Sequence, residues 1–400
     1  MKLDLIGTLA LAGVVLFVGY RIQRGIPWLA RLNIPAPVIG GLLVAIAVLV
    51  AGTYGLPTPQ YDMTLQRPLL VAFFTTLGFS ASLSLLRAGG LQVVVLLALV
   101  TCWAIVQNLV GMGIAVAFGL EPALGVLAGS VTMAGGPATG LAFAPLFEQA
   151  GIQGAETIAI ATAMAGIVAG ALAGGPIGTF LIQRRGLRSA QPNAVPAQHD
   201  STPDVVEPPR DELAYTYVAL KTVVVLLAAM WIGAGVSHAI GAMGITLPEY
   251  IGAMLVAAAI RNIDDRTGWI GLSPVALNVI GAVALSLFLI MALMSLDLAQ
   301  LTGLAVPLLV IIVVQVLFLG LFCLWPVFAL MGRDYDAAVM TGGFMGFMLG
   351  TTANAMAVMH ALVERFGAAP RAFLVAPLIG AFFLDFVNAL VITAFLNLLQ

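Results

Sequence analysis

Asp385 lies in AFFLDFVNALVITAF, deep inside an apolar run. A carboxylate in such surroundings is costly and by default functional. It can coordinate a cation or carry a proton, and Asn388 stands one turn later on the same helical face. Two other stretches, MAGGPATG (133–140) and GGFMGFMLGTTANA (342–355), interrupt apolar runs with glycine and proline. In a helix interior Gly costs about 1 kcal/mol and Pro about 3 relative to Ala, so both read as breaks. A break leaves N–H and C=O groups unpaired. Helix N-termini then present partial positive charge to carboxylates, and freed carbonyls can hold Na⁺. Small polar side chains complete such a site. Gly135, Gly136, Thr139, Gly140, Thr351, Thr352 and Asn354 are its candidates for the anionic solute; Asp385, Asn388 and Thr132 are its candidates for a cation, with Na⁺ placed at Asp385. The plainer reading of the glycines is close helix packing. For Asp385 it is a structural polar contact.

Other polar outliers are weaker. Gln107 and Asn108 lie in one apolar run and Gln315 at the like place in another, where interhelical hydrogen bonding is an equal reading. Glu148, Glu156 and Asp297 stand near run ends, as solvated charges do. His199, His238 and His360 have no ligand spacing, and Cys102 and Cys323 read as buried small hydrophobes without a disulfide or metal framework. No HExxH, GxSxG or P-loop occurs. The expectation is therefore no enzyme, no ATP-driven transport, no cofactor beyond a coupling ion and no nucleic-acid partner.

The elements that must position these groups are membrane helices. Mean hydropathy is +1.09 over 400 residues, with 61% hydrophobic and 8% charged, as expected of a polytopic membrane protein of about ten spans. The first apolar run, LIGTLALAGVVLFVGY, is too long for a signal segment and reads as a retained span. One long polar stretch, 184–213, is rich in Pro, Ala and charge and reads as a flexible linker between an N-terminal unit, 1–183, and a C-terminal unit, 214–400. The two units resemble each other. VLAG matches VMTG, Thr139 matches Thr352 at the same offset, and IGGLLVA matches IGAMLVA.

Charge sets orientation. With the N-terminus outside and five spans plus one same-side hairpin per unit, fourteen basic residues fall on the cytoplasmic side, and only Lys2 and Arg67 fall outside. An odd span count inverts the second repeat, the signature of many secondary transporters. The hairpins are expected over 122–150 and 336–365.

PAPVIGGLLVA, RPLLVAFFTTLGFSASLSLLRAGG, LAGSVTMAGGPATG, DYDAAVM, ERFG and GAFFLDFVNALVI resemble, in order and spacing, the bacterial sodium/glutamate symporters over nearly the whole chain. The resemblance implies an all-α polytopic inner-membrane protein with two inverted repeats of about five transmembrane helices, each with a re-entrant hairpin. It also implies a homodimer in the lipid bilayer, an elevator-like moving domain and Na⁺-coupled symport of L-glutamate or a closely related small acid. The central linker would be cytoplasmic, and the charge pattern above sets both termini outside. Gly135, Gly136, Thr139, Gly140, Thr352 and Asp385 keep the family's residue types. The family's Gly-Gly-His-Gly-Thr-Gly at the first tip is GGPATG here, its Gly-His-Cys-Gly is Gly343-Phe344-Met345-Gly346, and its Thr-Pro-Thr is Thr352-Ala353-Asn354. The alternative is therefore an H⁺- or Na⁺-coupled carrier of another organic anion, a 2-hydroxycarboxylate or dicarboxylate, with tips altered at Pro137 and Phe344.

Overall fold

The computed structural model describes residues 2–32, 34–84, 90–189, 212–242, 248–301 and 303–399. Most of the expected linker, with His199, Arg210 and also Arg87, lies outside them. Every regular element among the described residues is a helix, apart from one isolated bridge between Lys2 and Gln60. The helices are α1 Leu5–Gly25, α2 Ala36–Thr53, α3 Gln66–Phe79, α4 Gly90–Ala117, α5 Pro122–Val126, α6 Gly136–Gln149, α7 Ala155–Arg185 and α8 Glu212–Gly241. They continue as α9 Glu249–Thr267, α10 Pro274–Met294, α11 Ala305–Phe322, α12 Tyr335–Met348, α13 Thr352–Phe366, α14 Pro370–Leu378 and α15 Leu384–Leu399.

Local chemistry sets many of these boundaries. Side chains cap α1 (Asp4 accepts from Gly7 N–H), α10 (Ser273 from Ala276) and α12 (Asp334 from Ala337), meeting N–H groups that a helix start leaves orphaned. Prolines open α5 and α14, where no N–H is missed. Inside the bundle proline acts differently. Pro326 sits within the π-turn Cys323–Val327 that extends α11, and Pro377 precedes the π-turn Ile379–Phe383 that joins α14 to α15. A widened turn absorbs the missing hydrogen bond without ending the helix.

Among the described residues seven helices are long and apolar enough to cross a membrane, by length and composition: α1, α2, α4, α7, α8, α10 and α11 with its extension to Leu330. The expected spans at α3, α9 and α15 fall short of that measure. The first has 14 residues, the last has 16 after its π-turn, and α9 carries Arg261, Asp264, Asp265 and Arg266.

The helices form two packed groups. In one, α1 packs on α2 and α10, α8 packs on α9 and α3, α2 packs on α10, and α9 and α10 both pack on α3. In the other, α4 meets α5, α11 and α15, while α7 meets α6, α12 and α13. Where α4 crosses α5 the backbones nearly touch: a Cβ on Gly111 would lie 2.1 Å from the Gly125 carbonyl oxygen, so neither position admits a side chain.

At one end of the first group, polar bonds tie α3 to α9. Ser82 donates to Asp265 at 2.6 Å, Asp265 pairs with Arg261 at 2.9 Å, and Asn262 donates to Ala81 O at 2.7 Å. Asp264 accepts the N–H groups of Ile270, Gly271 and Leu272, and Lys221 donates to Ile270 O at 2.5 Å. Asp264→Ala leaves three loop N–H groups to water and unpins α8 from α9. We expect a loss of about 1–3 kcal/mol, read as a lower thermal midpoint in detergent. A midpoint equal to that of the unsubstituted protein would show that this loop does not brace the group.

Cys323 is buried as expected, but Cys102 is exposed on the outer face of α4. In a membrane bundle the lipid-facing surface is as apolar as the interior, so hydropathy does not separate the two.

Candidate functional site

The first break lies between α5 and α6. A π-turn, Leu127–Val131, extends α5 and contains Gly129 in a non-helical conformation (φ −95°, ψ −129°), and α6 begins at Gly136 with φ +66°. The second break is Leu349 to Thr351, between α12 and α13, where Thr351 caps α13 by accepting from Asn354 N–H at 3.3 Å. The two tips touch: a Cβ on Gly136 would meet Thr351 Cγ2 at 3.2 Å and Gly350 O at 3.4 Å.

The tips form one wall of a cavity of about 600 Å³, a volume ordinary for small-molecule sites. This wall carries Gly135, Pro137, Thr139, Thr351, Thr352 and Asp385. The facing wall comes from the other helix group: Tyr20 and Gln23 at the end of α1, residues 35–37, Phe73, Phe74 and Ser80 of α3, and Asn278 and Ser286 of α10. Thr352 donates to Gly380 O at 2.9 Å, so the second tip is tied to the π-turn that sets Asp385 on the wall. The half-buried Asp385 carboxylate receives no hydrogen bond or ion pair from the described residues, and no Lys, Arg or His lines the cavity among them. Charge recognition here therefore rests on two helix N-termini and one free carboxylate.

The remaining expected residues stand behind this wall. Gly136 is at the tip contact, and Gly140 packs where a Cβ would lie 3.0 Å from Ala159 Cβ. Asn354 is buried and donates to Ile167 O at 3.1 Å, clamping α13 to α7. Thr132 donates to Leu127 O at 2.9 Å, and Asn388 donates to Ser130 O at 2.8 Å. The expected cation set is thus divided: Asp385 faces the cavity, whereas Thr132 and Asn388 both bond the π-turn behind the first tip.

Two expectations are corrected. Gly343 to Gly346 are not a tip but part of α12, which runs unbroken to Met348. These glycines let α13 approach: a Cβ on Gly346 would lie 2.6 Å from Ala355 Cα. Phe344 is therefore buried in the core, 6.1 Å from Phe322 between ring centroids, and does not line the cavity; Pro137 does. The facing wall was missed altogether. Its residues carried no signal because Phe73 and Phe74 read alike whether they meet lipid, core or solute.

His238 bonds its own helix at Ala234 O, and the His360 ring packs on Phe373. No group of three or more His, Cys, Asp or Glu able to hold a metal occurs among the described residues.

Several helices long and apolar enough to cross a membrane, with broken helices meeting at an interior cavity, define a multi-pass membrane protein with a cavity inside its bundle. A sequence profile of the family described as Sodium/glutamate symporter matches residues 1–368. The chain is 39% identical over 397 residues to the sodium/glutamate symporter of Escherichia coli (strain K12), covering 99% of this chain and 98% of that one. It is 38% identical over 384 residues to the protein of the same name from Haemophilus influenzae, covering 96% and 94%. The chain belongs to the sodium/glutamate symporter family, a family of carriers rather than enzymes.

Proposed function

We propose that this protein carries L-glutamate, or a closely related small acid, together with Na⁺ across the bacterial inner membrane. The observation that carries the reading is the cavity between two touching helix breaks, with Asp385 on its wall. L-glutamate has two carboxylates and one ammonium. The N-termini of α6 and α13 offer partial positive charge to the carboxylates. Thr139, Thr351 and Thr352 add hydroxyls. Two positive charges compete for Asp385: the coupling Na⁺ assigned to it from the sequence, and the ammonium of the substrate. Its place on the open wall beside both tips favours the ammonium.

Inverted repeats explain the packing pattern. If α8, α9 and α10 repeat α1, α2 and α3, then α1 on α2 corresponds to α8 on α9, α1 on α10 to α8 on α3, and α2 on α10 to α9 on α3; each pair is packed. The units 1–183 and 214–400, joined by a cytoplasmic linker, follow from that reading. The two breaks are then the tips of re-entrant hairpins. The helix ends that line the cavity's far wall, Tyr20, Gln23, Ser80 and Asn278, lie on the side of Arg21, Arg24, Arg261 and Arg266. By the positive-inside rule this side is cytoplasmic, the residue-4 end of α1 and the residue-399 end of α15 face outside, and the cavity is inward-facing. A seam between two separately packed helix groups supports movement of the tip-bearing group against the other, as an elevator in a homodimer requires.

The test is uptake of labelled L-glutamate by proteoliposomes with an inward Na⁺ gradient, and with Na⁺ replaced by K⁺ at matched pH. Uptake with Na⁺ alone is the expected result. No uptake by folded protein would turn the reading to another carboxylate, with Pro137 as the altered contact.

A further inference from the structure

Polar groups that the cavity does not use gather behind the first break. Gln107 and Asn108 of α4, Ser130 of the π-turn, Gln315 of α11 and Asn388 of α15 are each at most 1% exposed. Gln315, Asn108 and Asn388 are tied to residues 128–130, which include Ser130, and Gln107 joins them through its backbone carbonyl. Gln315 Nε2 donates to Ala128 O at 3.2 Å and to Gln107 O at 3.5 Å; Asn108 Oδ1 accepts from Ser130 N–H at 2.9 Å; Asn388 Nδ2 donates to Ser130 O. Gln107 Nε2 donates to Met348 O at 2.7 Å, just before the second break. The partners of Gln107, Gln315 and Asn388 are carbonyls, which only accept, and the partner of Asn108 is an N–H, which only donates, so the orientation of each amide is fixed.

The oxygens are left over. Gln107 Oε1, Gln315 Oε1 and Asn388 Oδ1 have no partner among the described residues, nor have the Ser130 hydroxyl and Asn108 Nδ2. Three amide oxygens with two lone pairs each face one spare amide nitrogen and one hydroxyl, so acceptors are in excess. A buried acceptor without a partner is costly, and four on neighbouring residues, the three amide oxygens and the Ser130 hydroxyl, call for a species that satisfies oxygens. The ligands are hard and neutral, with no carboxylate among them. Divalent ions are usually held by carboxylates, so this set suits a monovalent cation.

We propose that these neutral oxygens seat the coupling Na⁺, behind the first tip rather than on the cavity wall. The inference rests on the Na⁺-symport reading and deepens it. Ser130 and the cavity-lining Gly135 belong to one continuous segment, so a cation that orders the π-turn also orders the tip. A positive charge buried among neutral ligands is stabilised when carboxylates arrive in the adjoining cavity. The two solutes thus favour each other's binding.

The experiment is thermal unfolding of purified protein in detergent without substrate, titrated with NaCl against KCl at constant ionic strength, alongside the Na⁺ dependence of uptake. Saturable stabilisation by Na⁺ is expected in the unsubstituted protein. Gln315→Met keeps the volume and removes the oxygen; half-saturating Na⁺ should rise about tenfold or more. Gln107→Met serves as the second variant if Gln315→Met does not fold. If glutamate uptake is Na⁺-driven and neither Met variant moves half-saturation, the cluster holds only water and this placement is overturned while the function stands. If Na⁺ stabilisation is present and lost in the variants, but glutamate is not carried, the placement stands and the substrate reading falls. Neither stabilisation nor Na⁺-dependent uptake overturns both.

Discussion

Asp385→Asn removes Na⁺-driven L-glutamate uptake and weakens glutamate binding on the order of 10- to 100-fold, the equivalent of the roughly 1.5–3 kcal/mol that a hydrogen bond to a charged group is worth. The substitution is nearly isosteric and meets no protein partner, because the carboxylate takes no hydrogen bond or ion pair from the described residues, so the fold is retained. What changes is charge. The cavity wall has two helix N-termini for two carboxylates and this single carboxylate for a positive group, with no Lys, Arg or His among the described lining residues. Glutarate, which has both carboxylates of glutamate and no ammonium, supplies the control. Inhibition by glutarate should survive Asp385→Asn, and half-saturating Na⁺ should be unmoved. A rise in half-saturating Na⁺ with glutamate affinity intact would instead put the cation on Asp385.

This division of labour bears on coupling. An ion held on the cavity wall would compete for space with the ammonium. An ion held behind the tip would act through the backbone of 127–135 and through the field it casts into the cavity, and the two sites would fill together. The bonds that join them are on both sides of the break: Asn388 to Ser130 O behind it, and Thr352 to Gly380 O beside it. Both belong to the segment 379–388, which also carries Asp385, so one stretch of helix touches the buried amide cluster, the second tip and the cavity wall.

The first break was legible in the sequence because GGP cannot continue a helix cheaply, and Asp385 because a carboxylate in an apolar run has few innocent explanations. The second break is narrower than the glycines suggest, beginning at Leu349, seven residues after Gly342. Gly343 and Gly346 look like breakers, yet they serve close packing of α12 on α13, and only the partner helix tells the two uses apart. The π-turn at the first break was invisible, since nothing in LAGSV marks a widened turn, whereas Pro326 and Pro377 accompany the other two. Gln107 and Gln315 stood out as polar residues in apolar runs, but their partners at Met348 and Ala128 are distant in sequence. The far wall of the cavity is aromatic and small, and a residue that faces lipid, core or solute is drawn from the same apolar alphabet.

Gly136→Ala should cost most of the uptake, about tenfold or more. Gly136 holds φ +66° at the first residue of α6, a conformation that costs an L-residue with a Cβ about 1–2 kcal/mol. The added methyl would also stand 3.2 Å from Thr351 Cγ2, tighter than ordinary contact, and 3.4 Å from Gly350 O, so the second tip must give by a few tenths of an ångström. Both helix N-termini would then shift relative to the substrate carboxylates. Gly113→Ala is the comparison, a glycine of α4 whose Cβ would meet nothing within 4 Å; its uptake should match the unsubstituted protein. The double variant Gly136→Ala with Thr351→Ser separates the two causes. Serine keeps the hydroxyl that caps α13 and removes the methyl that the new Cβ meets. Partial recovery of uptake in the double variant assigns the loss to the contact between tips. No recovery, with the protein folded, assigns it to backbone strain at Gly136, and the tips would then not need to touch for transport.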